Sequence, residues 1–310
     1  MRILRSLTAL GLAALVAVAA GCGGSGGQSE SQGPYGYDAS QPLGFHDTGR
    51  ANKNYPIVIR NVSYQSGKDR VPAYLLLPPA ASDNKKRAAV IYLHGSGGDR
   101  NTLLLPATWM AGRGAIGLAI TAPSATAPAA RGSATAELKH DVDLEKRDVI
   151  AVRRGIDLLR SRKDVDPNRI GFVGWSAGAR TGGILAGVEP RLRTLVLMSG
   201  GAVPVKTYVS LAPKQIRGTV RHYLSIVDPL HYLQNAKGST LLLQDGTVDQ
   251  SVPRSALLAF DHAAPKGATV RWYPADHPLN ANAYLDQLAW LGNKLRITDQ
   301  PIPGALTGPS

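Results

Sequence analysis

Residues 169–187 read RIGFVGWSAGARTGGILAG, and the fold turns on how this stretch is divided. IGFVGW (170–175) is an apolar run of the length and composition of a parallel strand covered on both faces. The small-residue run 177–187 that follows suits a helix packed close to that strand. Ser176 stands at the junction with Gly174 and Gly178 on either side. G-x-S-x-G at a strand-turn-helix junction places a serine on a strained, exposed turn, with a helix N-terminus behind it to offer free N–H groups. The pattern occurs twice. GGSGG at 23–27 has no strand before it and lies in the low-complexity segment GGSGGQSESQG (23–33), which reads as a flexible linker with a reach of roughly 20 Å. Only Ser176 has the context of a nucleophile.

Working outward, strand and helix patterns alternate on both sides. IVIRNVSY (57–64) and VPAYLLLP (71–78) flank a turn signal and predict an antiparallel hairpin. AAVIYLHG (88–95) predicts a buried strand, 101–112 a helix, 115–123 a strand and 124–137 a small-residue loop. Val142, Val149, Val152, Ile156 and Leu159 form one apolar stripe, which predicts a helix over 141–163 with Asp141 and Asp143 at its start. DPNR (166–169) reads as a turn. Downstream come strands at 194–200, 239–246 and 268–274, with helices at 228–236, 254–263 and 281–295. The expectation is one α/β domain over 57–295: a doubly wound, mostly parallel sheet with the antiparallel hairpin at its N-terminal edge. The less regular 201–227 is expected to form a small cap, and 296–310 a frayed tail.

The N-terminus carries Arg2 and Arg5, then an apolar run from Leu7 to Ala20 that ends AAGC (19–22). Fourteen apolar residues suit a signal-peptide core better than a membrane span. AAGC resembles a bacterial lipobox, with Cys22, the sole cysteine of the chain, as the lipidated residue. A signal peptide over 1–21, then the lipidated cysteine, linker and lead-in over 22–56, would make an exported lipoprotein anchored to the cell membrane and facing outward. The chain of 310 residues has 35 Lys+Arg against 22 Asp+Glu, a formal charge of +13. Removing Arg2 and Arg5 would leave +11 (13 less 2), which favours adhesion to an anionic membrane. With no basic block or basic-aromatic stripe, no nucleic-acid partner is expected.

In open α/β sheets, sites form beyond the carboxyl ends of strands. Besides Ser176, two residues with catalytic chemistry fall there. His277, in ADHPL, is the histidine just past a late strand, where it can take a proton from a serine hydroxyl near neutral pH. Asp249, in DGTVDQSVP, lies deep in the loop after STLLLQ and can orient such a histidine. Asp245 is a rival at the strand end. HGSGG (94–98) closes another strand, where the backbone N–H of Ser96, with that of Ala177, can face an oxyanion. His94 is expected to brace this loop. His46 and His140 read as loop residues, and His222, His231 and His262 as lying in or beside irregular or helical segments. Asp141, Asp143 and Glu145 are spaced as in a calcium loop, but Lys146 stands where that loop needs glycine. With no Cys/His cluster and no G-x-G-x-x-G after a strand, neither a metal nor a cofactor is expected.

RIGFVGWSAG, LLLQDGTVDQSVP, ADHPL and the upstream YLHGSGG together resemble the dienelactone-hydrolase-like and prolyl-oligopeptidase-like branches of the α/β-hydrolase superfamily. The resemblance spans about residues 57–295. Their acid lies in a G-x-x-D-x-x-V-P loop, matched by Gly246, Asp249, Val252 and Pro253, which implies Asp249 rather than Asp245. Two departures stand out. Dienelactone hydrolase itself uses a cysteine where Ser176 stands, and there is no room before residue 57 for the propeller of prolyl oligopeptidases. The resemblance implies a serine hydrolase with the triad Ser176, Asp249 and His277, acting on a small acyl ester. Amide cleavage or acyl transfer on envelope material would use the same residues, and a binding protein on an inactive scaffold is the alternative outside enzymology. Substrate choice is expected to lie in 124–137 and 201–227. Lys206, Lys214, Arg217 and Arg221 are read as solvated loop charges.

Overall fold

A computed structural model describes residues 33–51, 53–79 and 85–297. Cys22, the segments before and after it, and the tail beyond 297 lie outside the described residues. Nine strands form one sheet in the order β1-β2-β3-β5-β4-β6-β7-β8-β9. They are β1 (His46–Arg50), β2 (Val58–Ser66), β3 (Asp69–Leu77), β4 (Arg87–Leu93), β5 (Ile116–Ile120), β6 (Val165–Trp175), β7 (Thr194–Met198), β8 (Thr240–Gly246) and β9 (Thr269–Tyr273). β1, β2 and β3 run antiparallel and join β5 antiparallel; every pairing from β5 through β4 to β9 is parallel. The expected doubly wound sheet is present, but its antiparallel edge has three strands. β1, HDTGR, is short, polar and largely exposed, so it carries no hydrophobic alternation by which a strand is read.

The helices are α1 (Leu104–Gly112), α2 (Pro123–Thr126), α3 (Ala134–Ser161), α4 (Ala177–Val188), α5 (Val205–Leu211), α6 (Arg217–Ile226), α7 (Pro229–Leu233), α8 (Arg254–Ala263) and α9 (Ala281–Lys294). The sheet separates two cores. Ala89, Ile91 and Leu93 of β4 face Val149, Val152 and Ile156 of α3, Ile184 of α4 and Phe260 of α8. The alternate residues Val90 and Tyr92 face Leu104 and Met110 of α1 and Leu288 and Leu291 of α9. Every residue of β4 is buried, as the apolar run that follows Arg87, residues 88–93, requires.

α3 begins seven residues before the expected start. Ser133 caps it by accepting the Ala136 N–H at 3.3 Å, so Asp141, Asp143 and His140 are helical. The small residues of 124–137 therefore form the short α2 and the first turn of α3, not a single loop. His46 lies on β1. The packed body also extends N-terminal of Ile57: Tyr35 is fully buried, its hydroxyl donates to the Ile226 carbonyl at 2.6 Å, and its own carbonyl accepts from Arg153 at 2.6 Å. The cap region 201–227 forms α5 and α6, whose Tyr208, Val209, Val220 and Leu224 pack with Leu138 and Val142 of α3.

Register sets the site. Leu93 of β4 pairs with Gly174 of β6, and Trp175 of β6 with Met198 of β7. The carboxyl ends of three central strands thus finish side by side, where the loops of β4 and β8 also arrive.

Candidate active site

Ser176 adopts φ 57° and ψ −113°, a left-handed backbone that costs a β-carbon-bearing residue about 1–3 kcal/mol. Its N–H donates to the Met198 carbonyl at 2.8 Å, and its carbonyl accepts from Ala179 and Arg180 at 3.0 and 3.1 Å. These bonds hold the strained turn. The flanking glycines are needed for close approach. A Cβ on Gly174 would stand 2.2 Å from the Gly178 carbonyl oxygen, and one on Gly178 would stand 2.3 Å from the Leu93 carbonyl oxygen. Both contacts are to backbone, which cannot swing aside.

His277 and Asp249 arrive from two later loops. His277 Nε2 lies 2.9 Å from Ser176 Oγ, and Nδ1 lies 2.8 Å from Asp249 Oδ2. Asp249 Oδ1 accepts the N–H groups of Ser251 and Val252 at 2.7 and 2.8 Å. With its carboxylate acting only as acceptor, His277 carries its proton on Nδ1 and turns the Nε2 lone pair to the serine hydroxyl. The Asp249 side chain is 1 % exposed and that of His277 12 %. Little water therefore competes for the hydrogen bonds between them.

The backbone of His277 is fixed as firmly as its ring. Its carbonyl accepts from Trp175 Nε1 at 3.0 Å and from Ser199 Oγ at 2.9 Å. The Trp175 ring leans on the imidazole at 5.2 Å between centroids. Asp276 clasps the two loops together: Oδ1 accepts the N–H groups of both Gln250 and His277, at 2.9 and 2.7 Å. Those two backbone donors hold the Asp276 carboxyl below its usual range. The loop motif explains itself in contacts too: Gly246 abuts the Ala275 carbonyl, where a Cβ would stand at 2.4 Å, and Val252 packs against Gly201. Sequence reasoning missed Asp276, Ser199 and the indole of Trp175, because each acts through a backbone group that no motif specifies.

Asp245 does not reach His277. It is buried on β8 beside Asp261 of α8. His94 braces the loop after β4 as expected. Its Nδ1–H donates to the Gly95 carbonyl at 2.7 Å and Nε2 accepts the Ala122 N–H at 3.0 Å, while burial pulls its pKa down and keeps it neutral. The amides of Ser96 and Ala177 donate to no protein group among the described residues. Both residues line a cavity of about 410 Å³, one from the loop after β4 and the other from the first turn of α4.

That cavity extends from the two amides between α2, α3 and α4, with Ser124, Glu145, Asp148, Arg180 and Thr181 among its walls. Burial raises the Asp148 carboxyl to about 8, with help from Glu145. Glu145 is also raised by burial, against the opposing effects of Arg180 and a 2.8 Å hydrogen bond from the Thr181 hydroxyl. The Ser124–Ala125 part of 124–137 contributes to this wall, whereas no residue of 201–227 does. Among the described residues no group of three His, Cys, Asp or Glu side chains is placed to hold a metal ion, and no helix is long and apolar enough to cross a membrane.

The sheet order, the serine at a positive-φ strand-helix turn and the partners on loops after β8 and β9 define the α/β-hydrolase fold. Solved structures agree. An acetyl xylan esterase from Paenibacillus sp. R4 matches with a TM-score of 0.70 at 19% identity, over 82% of this chain and 90% of that one. Acetyl xylan esterase 1 from Thermoanaerobacterium sp. matches with a TM-score of 0.67 at 16% identity, over 84% and 90%. The acylaminoacyl peptidase of Pyrococcus horikoshii gives 0.60 at 16% identity, over 79% of this chain but 43% of that longer one. No protein-family profile matches the sequence, and no curated protein matches it significantly.

Proposed function

We propose that this protein is a serine hydrolase that cleaves carboxylic esters through an acyl-enzyme. The observation that carries this reading is the continuous hydrogen-bond chain from Ser176 Oγ through the His277 ring to Asp249, mounted on a backbone strained at the serine alone among the three. His277 Nε2 takes the hydroxyl proton as Ser176 Oγ attacks the acyl carbon. The oxyanion is received by the N–H groups of Ser96 and Ala177. His277 then gives its proton to the leaving alcohol, and water repeats the sequence to release the acid. Asp249 keeps the imidazole in the required tautomer and stabilises its cation. Two of the similar structures bear the name acetyl xylan esterase, which supports ester chemistry with a small acyl group.

The leaving oxygen must lie on the His277 side of Ser176, because that ring protonates it. The 410 Å³ cavity opens beside the two amides and is lined by none of Ser176, His277 and Asp249. It therefore suits the acyl group. With Glu145, Asp148, Arg180, Thr181 and Ser124 in its walls, it favours a short, polar acyl group over a fatty chain, whose burial there would strip water from those groups without return. An activity screen over esters of one alcohol with acyl chains of graded length, with peptide amides beside them, tests this. Activity should be greatest on short acyl groups; a maximum on long chains, or on amides alone, would overturn it. Export as a lipoprotein lipidated on Cys22 is part of the proposal, supported by the sequence AAGC. Metabolic labelling with palmitate should mark the wild type and not Cys22→Ser.

A further inference from the structure

The cavity beside the Ser96 and Ala177 amides has a polar wall that the protein only half satisfies. Asp141, Glu145 and Asp148 stand at i, i+4 and i+7 on α3, a spacing that puts them on one face, and all three line the cavity. Arg180 and Thr181 line it from α4, one turn past Ala177. Asp148 is 6 % exposed. Its Oδ1 accepts the Ser124 N–H at 2.9 Å, while its Oδ2 receives no hydrogen bond from the described residues. Glu145 repeats the pattern. Its Oε1 accepts the Thr181 hydroxyl at 2.8 Å, and its Oε2 receives no hydrogen bond from the described residues. The Arg180 guanidinium makes neither a hydrogen bond nor a direct salt bridge with any of them. Two carboxyl oxygens and a guanidinium therefore depend on whatever enters the cavity.

These groups discriminate among acyl substituents. A methylene gives them nothing and strips their water. An ammonium only donates, and it would share the cavity with Arg180. A carboxylate only accepts; it would meet Arg180 but add a further carboxyl to Glu145 and Asp148. A hydroxyl does both, accepting from Arg180 and donating to a carboxyl oxygen of Asp148 or Glu145. The charge balance agrees. Burial raises Asp148 to about 8, so it is neutral at pH 7, and the charge of Arg180 opposes that of Glu145. A neutral group with a donor and an acceptor fits such a wall.

We propose that the acyl group transferred to Ser176 is that of a short hydroxycarboxylic acid, with Arg180 and Asp148 as the residues that select its hydroxyl. This rests on reading Ser176 as the nucleophile and this cavity as the acyl side. The reach is suitable. A helix rises about 1.5 Å per residue, so Arg180 and Thr181 lie roughly 4.5–6 Å along α4 from the Ala177 amide. That leaves room for a hydroxyl a few bonds from the ester carbonyl.

The test measures kcat/KM for lactyl against propionyl and β-hydroxybutyryl against butyryl esters of one alcohol, with β-alanyl and hemisuccinyl esters beside them. Each value is divided by the hydroxide-catalysed hydrolysis rate of the same ester, which removes the intrinsic effect of the substituent. The better hydroxyacyl ester should exceed its isostere by about 10-fold or more, as one hydrogen bond to a charged group gives. Arg180→Met, which keeps a long side chain without a donor, should bring that ratio close to one, and Arg180→Lys should recover part of it. Asp148→Leu should lower the ratio likewise, whereas Asp148→Asn keeps a donor and an acceptor there and should retain it. A ratio near one for both pairs in the wild type, an unchanged ratio in Arg180→Met, or the highest value on the β-alanyl or hemisuccinyl ester would overturn the proposal. So would a preference that appears only when propyl and glyceryl esters of one acid are compared, because the cavity would then take the leaving group. Should the Met and Leu variants fail to fold, the wild-type ranking decides. Failure of the triad reading shows separately, as full turnover of every ester by Ser176→Ala.

Discussion

Gly178 offers the sharpest link between packing and chemistry. It is the second residue of α4, two past Ser176, and its α-carbon rests against the end of β4. In Gly178→Ala the new methyl would stand 2.3 Å from the Leu93 carbonyl oxygen, 2.8 Å from that of His94 and 2.9 Å from the Leu93 carbonyl carbon. Ordinary contact begins near 3.4 Å, so the start of α4 must retreat by about 1 Å from the loop that carries Ser96. All three obstacles are backbone of a fully buried strand end and its first loop residue, so the helix, not the strand, gives way. That movement separates Ser176 and the Ala177 amide from the Ser96 amide and from His277. A misplacement of about 1 Å at a reacting centre costs on the order of 10²-fold in rate, equivalent to about 2.7 kcal/mol of transition-state stabilisation. Overpacking should cost a further 1–3 kcal/mol or so of stability. The assay is kcat/KM on a short-chain ester together with the urea unfolding midpoint. Gly218→Ala is the control, because a Cβ at that helical glycine meets nothing within 4 Å; it should leave rate and midpoint essentially intact. Wild-type kcat/KM in Gly178→Ala would refute the reasoning, since the gap between α4 and β4 would then not set the geometry of the reaction.

Asp249→Asn should lower kcat by about 10⁴-fold with little change in fold, because the amide favours the wrong His277 tautomer; steady-state kinetics beside circular dichroism checks it, and a loss under tenfold would contradict the assigned role. Asp276→Ala frees the N–H groups of Gln250 and His277 together and should lower kcat by about 10-fold or more through loosened loops, read in the same assay. The Arg153–Glu189 pair is almost wholly buried. Burial alone would raise the Glu189 carboxyl, but hydrogen bonds from Arg191 and Arg153 hold it below its ordinary value. Glu189→Ala should therefore cost about 3–5 kcal/mol by taking from Arg153 and Arg191 the carboxylate they share. A depressed carboxyl contributes stability that is present above its unfolded pKa and lost as pH falls through the folded one, so the difference from wild type should shrink in acid denaturation curves.

The central parallel strands were legible because they are buried on both faces and read as apolar runs, as β4, β7 and residues 170–174 of β6 do; residues 166–169, near the start of β6, are polar and read as a turn. Ser176 was legible because its flanking glycines answer two backbone contacts, and His277 because a histidine after a late strand has few other reasons to stand there. Asp249 was separable from Asp245 only through the loop motif. Asp245 lies within β8 and is buried there, whereas Asp249 stands in the loop beyond the strand and reaches His277, and spacing does not encode that at a strand end. β1 left no hydrophobic trace, since an exposed edge strand needs none. The first turns of α3 are built from Ala134, Ala136 and Leu138, too small and too few to register as a stripe. Their core arises only when α5 and α6 pack on them, a long-range contact that no local pattern announces.

The central claim is that Ser176 is the residue that becomes acylated. Reaction of the protein with a fluorophosphonate, followed by peptide mass spectrometry, tests it directly. A single phosphonyl adduct on the peptide carrying GWSAG, localised to Ser176 and lost in both Ser176→Ala and His277→Ala, is the predicted result. Undiminished labelling in Ser176→Ala, or an adduct on any other residue, would contradict it.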